Sequence, residues 1–394
     1  MPARSLTVVQ LLPTLNAGGV ERSALEIGAA LAAAGHRSIA ISAGGRLVDK
    51  LVAEGSEHVA LDIGRKSLTT LRHVWALRRL FSEIKPDIVH ARSRLPAWIG
   101  WHALRGMPQA TRPHFVTTVH GLNSPGRYSA ILTRGERVIS VSNTLRDYLM
   151  QHYPGLDPAR VAVIPRGIDP LEFPRDYRAS EDWRSRFFAE FPQLAGGKLL
   201  VLSGRGTRLK GHRDAVELLA ALRARDVDAR LLLLGARETG REAYVDEIET
   251  FAQQRGVLDH LAITPPRGDV REAYSVSDLV LQLSTQPESF GRTVVEALSL
   301  GRPVLGYAHG GVGELLTELY PQGGVTLGDA KALLECASNL LRAAPPVAPL
   351  EKYRLADMQA ATLALYAEVV HASSAPMASS STERASNMLC RSDE

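Results

Sequence analysis

The sequence predicts an α/β protein built from two parallel-sheet units. Short β-branched runs alternate with amphipathic stretches, and the alternation pauses once near residues 165–183 before restarting. A chain of 394 residues has room for two ordinary domains, each able to bury its own core. The composition, 45% hydrophobic and 22% charged, is that of a globular protein.

LTVVQLLP (6–13) is the first strand, followed by TLNAGG. VERSALEIGAALAAAGH sets Val20, Ala24, Ile27 and Leu31 on one helical face and ends at Gly35. RKSLTTLRHVWALRRLFSEIK (65–85) reads as one helix with Leu71, Val74, Leu77, Phe81 and Ile84 along one arc. Arg72 and Arg79 lie opposite, beside Trp75. PDIVHA (86–91) and HFVTTVHG (114–121) are further strands, as is SIAIS (38–42), and RVISVS (137–142) leads into the helix NTLRDYLMQHY.

The pause, PRGIDPLEFPRDYRASEDW (165–183), is rich in proline and charge. The second unit starts at KLLVLSG (198–204), with a helix from about Asp214, then RLLLLG (230–235) and LAITPP (261–266). DLVLQLS (278–284) and RPVLGY (302–307) complete its strands. The units divide as 1–170 and 171–350, with a closing helix at 353–372 that can pack back on the first. The small, polar tail 373–394 is expected to be disordered.

Several classes drop out. Two cysteines, Cys336 and Cys390, make no disulfide framework and point to a reducing compartment. MPARSLTVVQLLP does not read as a signal peptide, and no window approaches the ~18 apolar residues of a membrane span. A cytoplasmic protein is expected. Charge is uneven: residues 1–160 hold 20 Lys/Arg against 11 Asp/Glu, whereas residues 161–394 hold 26 against 31. The basic half could face an anionic lipid, a phosphorylated substrate or nucleic acid, or be ordinary surface scatter. Nucleic acid is the weakest of these, with 6% aromatics and no binding motif.

Three loops carry candidate chemistry. Gly18 and Gly19 let backbone approach a ligand at the start of the first helix, although any tight strand-to-helix turn can need such a pair. They form no G-x-G-x-x-G fingerprint, which removes the main support for a nicotinamide-dependent dehydrogenase. GRGTRLKGH places Arg205 and Lys210 between a strand end and a helix N-terminus, where a diphosphate would meet cations and backbone N–H groups. It is not a Walker A loop. In PESFGRTVVEAL, Glu288 falls in a loop at a strand end and Glu296 on the following helix. A loop carboxylate can accept from sugar hydroxyls, and a helical one can accept from both hydroxyls of a ribose; a solvated surface glutamate is the plain alternative. The pair Asp226 and Asp228 resembles a metal-holding D-x-D but precedes a strand, at the wrong end for a cleft.

NAGG, GRGTRLKG, the E-x7-E of ESFGRTVVE, GRPV and GGVGE resemble, in order, the retaining GT-B glycosyltransferases of family 4. AAGH and PRGID match as well, and the resemblance runs from about Leu6 to Tyr366. It implies two Rossmann-like domains facing a central cleft, a nucleotide-sugar donor held mostly by the second domain, and no required metal or other cofactor. Carried over by position, Arg205 and Lys210 would bind the donor diphosphate and Glu296 the ribose. Glu288, with Ser289, Phe290 and Gly291, would meet the donor sugar, and Gly18 and Gly19 would close over the diphosphate. His120 would stand beside the sugar, although a histidine ending a strand is more often structural.

Two departures stand out: Arg166, where many relatives carry asparagine, and LSTQPE ahead of the first acid. Neither is expected to touch the charged groups of the site. The resemblance implies hexose transfer with retention, with glucose from UDP-glucose the leading donor. The basic first half and HARSRLPAW, with Arg92 and Arg94, point to a phosphorylated, lipid-linked saccharide acceptor of lipopolysaccharide core assembly, with the helix at 65–85 on an anionic membrane surface. A capsular or exopolysaccharide carrier, a nucleotide-sugar epimerase and a non-catalytic binder are the alternatives.

Overall fold

The computed structural model describes residues 4–16 and 18–372. The expected tail at 373–394, and Cys390 with it, lie outside the described residues. The first unit runs β1 (Thr7–Leu11), α1 (Gly19–Ala33), β2 (Arg37–Ser42), α2 (Val48–Ala53), β3 (Glu57–Ala60), α3 (His73–Ile84) and β4 (Ile88–Ala91). It continues through α4 (Arg94–Arg105), β5 (His114–Val119), β6 (Arg137–Ser140), α5 (Asn143–His152) and β7 (Val161–Val163). The second unit opens with α6 (Glu181–Glu190), β8 (Lys198–Ser203), α7 (His212–Arg223), β9 (Ala229–Leu234), α8 (Glu242–Gln254) and β10 (Leu261–Ile263). There follow α9 (Val270–Ser275), β11 (Leu279–Gln282), α10 (Arg292–Ser299), β12 (Val304–Tyr307), α11 (Gly310–Leu319), β13 (Gly324–Val325) and α12 (Ala330–Ala343). The closing helix is α13 (Leu355–Ala372).

Both sheets are parallel throughout, in the orders β3-β2-β1-β4-β5-β6-β7 and β10-β9-β8-β11-β12-β13. Central strands are buried on both faces, which is why they read as continuous Val/Ile/Leu runs: Val9, for example, pairs with Ile39 on one side and Val89 on the other. Strand order reverses between β1 and β4 and again between β8 and β11. At such a switch point the loops leaving neighbouring strands part in opposite directions and open a crevice at the strands' carboxyl ends. The candidate loops leave β1, β4, β8 and β11.

Helix α13 returns to the first sheet. Met358, Leu365, Tyr366 and Val369 pack with Ile27 and Leu31 of α1 and with Val8, Ile88, Val116 and Ile139 of the strands. Segment 177–183 belongs to the second unit: the Ala179 N–H donates to Ser275 Oγ and the Trp183 indole to Asp269.

The structure corrects two readings. The single helix at 65–85 begins as a 3-10 turn, Leu68–Arg72, started by the Ser67 hydroxyl accepting from the Thr69 N–H, and becomes α-helical only at His73. Leu77 and Phe81 are buried, but Leu71 is 53% exposed and Trp75 66%. Three strands escaped the sequence reading: β3, β7 and β13. All three are sheet edges, flanked on one side only, so their sequences need not be the apolar runs of central strands.

Candidate active site

The loop after β8 is shaped by Gly204 and Gly211. Gly211 has φ +71, and a Cβ there would collide with the Leu283 carbonyl, so this turn into α7 requires glycine. It delivers Arg205 and Lys210 to the rim of a cavity of about 1060 Å³ between the units. Gly18 and Gly19, at the start of α1, line the opposite wall. The Arg205 side chain is exposed and makes no hydrogen bond or salt bridge among the described residues.

Lys210 is engaged: its Nζ lies 2.6 Å from Glu288 Oε1. Glu288 also accepts from Ser284 Oγ and, at 3.4 Å, from Gln282 Nε2. Burial alone would push its carboxyl up, but Lys210 and the hydrogen bonds from Lys210, Ser284 and Gln282 outweigh it and hold the group below the usual glutamate value. Glu288 is thus an ionised acceptor behind Lys210 and not part of the large cavity's lining. Ser289 bridges the units, its hydroxyl donating to the His120 carbonyl at 2.7 Å. The Phe290 side chain is buried against Tyr353, which makes it a packing residue. Gly291, at φ +109, starts α10.

Glu296 lies on the cavity wall, 7% exposed. Burial carries its pKa to about 7, against the opposing pull of Arg292 and Arg22. Arg22, from the first unit, reaches Glu296 at 3.4 Å, Glu26 at 3.2 Å and Glu172 at 2.5 Å. Arg292 pairs with Glu26 at 2.5 Å and stands 3.6 Å from Glu296. Glu314 of α11 takes N–H groups of Asn143 and Thr144 at the start of α5, a further clasp between units.

On the first unit, Arg92, Arg94 and His120 line a second pocket of about 370 Å³, together with Lys66. Arg94 donates to Ser129 Oγ and stacks over Tyr128. Arg92 is only 3% exposed, and its guanidinium donates inward to Gln10 at 2.7 Å and to Ser23 at 3.4 Å. The two arginines therefore differ in kind: Arg94 is a rim group, whereas Arg92 is a buried charge with internal partners. His120 is held well below the ordinary histidine value, by burial first and then by Arg166, Arg92 and His90.

The expectation that neither departure touches the charged groups of the site fails for LSTQPE, whose Ser284 hydroxyl donates to Glu288, and Arg166 meets two other site residues. Its Nη2 donates to His120 Nδ1 at 2.8 Å and its Nη1 to the Gly19 carbonyl. Sequence reasoning missed Arg166, Arg22, Arg292 and Lys66. One signal was available: Arg22 and Arg292 sit in the first turns of their helices, where the dipole disfavours a cation. Such placement calls for carboxylates across an interface, here Glu26, Glu172 and Glu296. Asp226 and Asp228 occupy the turn between α7 and β9, where Asp228 pairs with Arg223 and Arg230, at the end of the sheet away from the cavity.

Two doubly wound units with their switch-point loops facing one cleft, and free and paired cations on its rim, define the GT-B architecture. Residues 17–171 match the model of Glycosyltransferase Family 4 and residues 184–343 that of Glycosyl transferases group 1. Together these two matches, one to each unit, span most of the chain, which carries the domains of a glycosyltransferase. A D-inositol 3-phosphate glycosyltransferase of Xylanimonas cellulosilytica is 28% identical over 248 residues. That alignment covers 57% of this chain and only 56% of the relative's length. Among solved structures, a Rickettsia africae glycosyltransferase superposes with a TM-score of 0.80 at 24% identity, covering 93% of this chain and 99% of its own. Anabaena HepE in complex with UDP and glucose gives 0.76 at 20% identity, covering 92% and 100%. At these identities the structural likeness establishes the fold.

Proposed function

We propose that this enzyme transfers a hexose, with glucose from UDP-glucose the first candidate, from a nucleotide sugar to a phosphorylated, lipid-linked saccharide, with retention at the anomeric carbon and in lipopolysaccharide core assembly. One observation carries the donor side: the second sheet's switch point delivers Arg205 and Lys210 to a cleft of about 1060 Å³, facing the Gly18–Gly19 turn. A departing diphosphate gains negative charge there, which fixed cations and N–H groups stabilise more in the transition state than in the ground state. Lys210 has three donors, so it can keep Glu288 while meeting a phosphate oxygen. Glu288 then orders Lys210 for the departing diphosphate. Glu296, in its ionised form, accepts from the ribose diol.

The departing phosphate would take the acceptor proton as the new bond forms on the same face, and no resident metal is assigned to the reaction. The basic pocket with Lys66 and Arg94 supports a phosphorylated acceptor, as does the name of the D-inositol 3-phosphate relatives. Exposed Trp75 and Leu71, flanked by Arg72 and Arg79, would rest on an anionic membrane surface. Among the described residues no helix is long and apolar enough to cross a membrane.

Thermal shift against UDP-glucose, UDP-galactose, UDP-GlcNAc, GDP-mannose and ADP-heptose tests the donor side. A ligand at 100 times its Kd adds about 2.7 kcal/mol of stability. One responder, weakened about 10- to 100-fold by Arg205→Ala through loss of a charge-assisted hydrogen bond, is expected. An unchanged response in that variant would remove Arg205 from the diphosphate site.

A further inference from the structure

We propose that Arg166 is a positioning residue: it fixes His120 in the single state with its proton on Nε2, and ties that ring to the Gly18–Gly19 turn. Arg166 is 7% exposed and bridges the first unit's two functional loops, with Nη2 at 2.8 Å from His120 Nδ1 and Nη1 on the Gly19 carbonyl. A guanidinium has only donors. Nδ1 must therefore offer its lone pair, and the neutral ring carries its proton on Nε2. An asparagine at this position could present either its oxygen or its nitrogen to the ring and would leave the proton's place open. Arginine closes that choice.

The surroundings enforce the same state. The charged and titratable groups around the pair are His90 on β4 and Arg92 just beyond it, Glu21 and Glu26 on α1, and Arg292 on α10. Cations predominate beside the ring, so a second proton is disfavoured. His120 Nε2 is buried without a partner among the described residues, leaving one N–H to meet an oxygen acceptor. Across the cleft, Ser289 holds the backbone carbonyl of the same residue. The close approach explains Gly19 too, because a Cβ there would lie 2.5 Å from Arg166 Nη1. The consequence is that His120 works as a fixed hydrogen-bond donor and not as a proton-exchanging acid or base.

What the N–H donates to rests on the proposed function; the proton's place does not. The experiment is nitrogen NMR of the full-length protein labelled with ¹⁵N-histidine, free of ligand. His120→Asn identifies the signals of this ring among the 12 histidines. The wild type is expected to show a bare Nδ1 and a protonated Nε2, unchanged from pH 8 to pH 5. Arg166→Lys, still a donor-only cation, should keep that pattern, and Arg166→Met should let the ring exchange between forms and titrate. A proton on Nδ1 in the wild type, ordinary titration there, or an unchanged spectrum in Arg166→Met would overturn the proposal. Should Arg166→Met fail to fold, the wild-type spectrum decides alone. Failure of every nucleotide sugar to bind would sink the functional reading and leave this spectrum untouched.

Discussion

Glu296→Gln probes the proposed ribose contact through both stability and binding. The side chain is 10% exposed, and its carboxyl sits at about 7 instead of 4.5. That displacement corresponds to about 3 kcal/mol. The folded-state value is the higher one, so the stabilising contribution is complete below pH ~4.5 and is lost as pH rises through about 7. At pH 8 the folded protein holds an ionised carboxylate at a cost, and glutamine avoids it. Arg22 keeps Glu26 and Glu172 as partners in the variant, and Arg292 keeps Glu26. Glu296→Gln should therefore match the wild type near pH 5 and exceed it at pH 8 by up to about 3 kcal/mol, at roughly 2–4 °C of Tm per kcal/mol for a domain of 150–250 residues. Donor affinity should move the other way, rising with pH through 7 in the wild type and weakening in the variant. Scanning fluorimetry from pH 5 to pH 8, with and without the responding nucleotide sugar, measures both. A variant that is less stable than wild type by the same amount at every pH would refute the reasoning.

Lys210→Met removes the counter-charge of Glu288 in a pair about one-quarter exposed, and should cost about 1–2 kcal/mol at pH 7. Because the folded-state Glu288 value is depressed, the pair's contribution is present above the ordinary glutamate range and lost as pH falls through the folded value. The gap to wild type should close in acid, and Glu288→Gln in the Lys210→Met background should recover stability; additive losses in a double-mutant cycle would deny the coupling. Sugar transfer should be unchanged by EDTA, and an activity restored only by a divalent ion would contradict the metal-free assignment. Trp75→Ser with Arg72→Ser should reduce sedimentation with phosphatidylglycerol vesicles severalfold at low salt while leaving Tm within 1–2 °C of wild type, an order-of-magnitude bound for surface changes. Equal sedimentation would remove α3 from the membrane surface.

Much of this protein was legible in its sequence because its central strands and loops obey local rules. Both sheets and the loops bearing Gly18–Gly19, Arg205–Lys210 and Glu288 follow from strand runs and glycines adjacent in the chain. Edge strands such as Glu57–Ala60 did not, because a strand with one neighbour needs no continuous apolar run. The fused helix at 65–85 failed for a related reason: periodicity continues through Leu71, but that side chain is half exposed and the Ser67 hydroxyl starts a 3-10 turn there.

What tertiary structure alone decided is the pairing of charges distant in sequence. Arg166 meets a ring 46 positions earlier, Arg22 meets Glu296 at a separation of 274, and Lys210 waits on Glu288 rather than on open solvent. Local propensity encodes where each loop emerges. Which charge faces which, and so which carboxyl rises to about 7 and which imidazole stays neutral, depends on burial and Coulomb interactions that exist only once the carboxyl ends of two sheets face each other across a cleft.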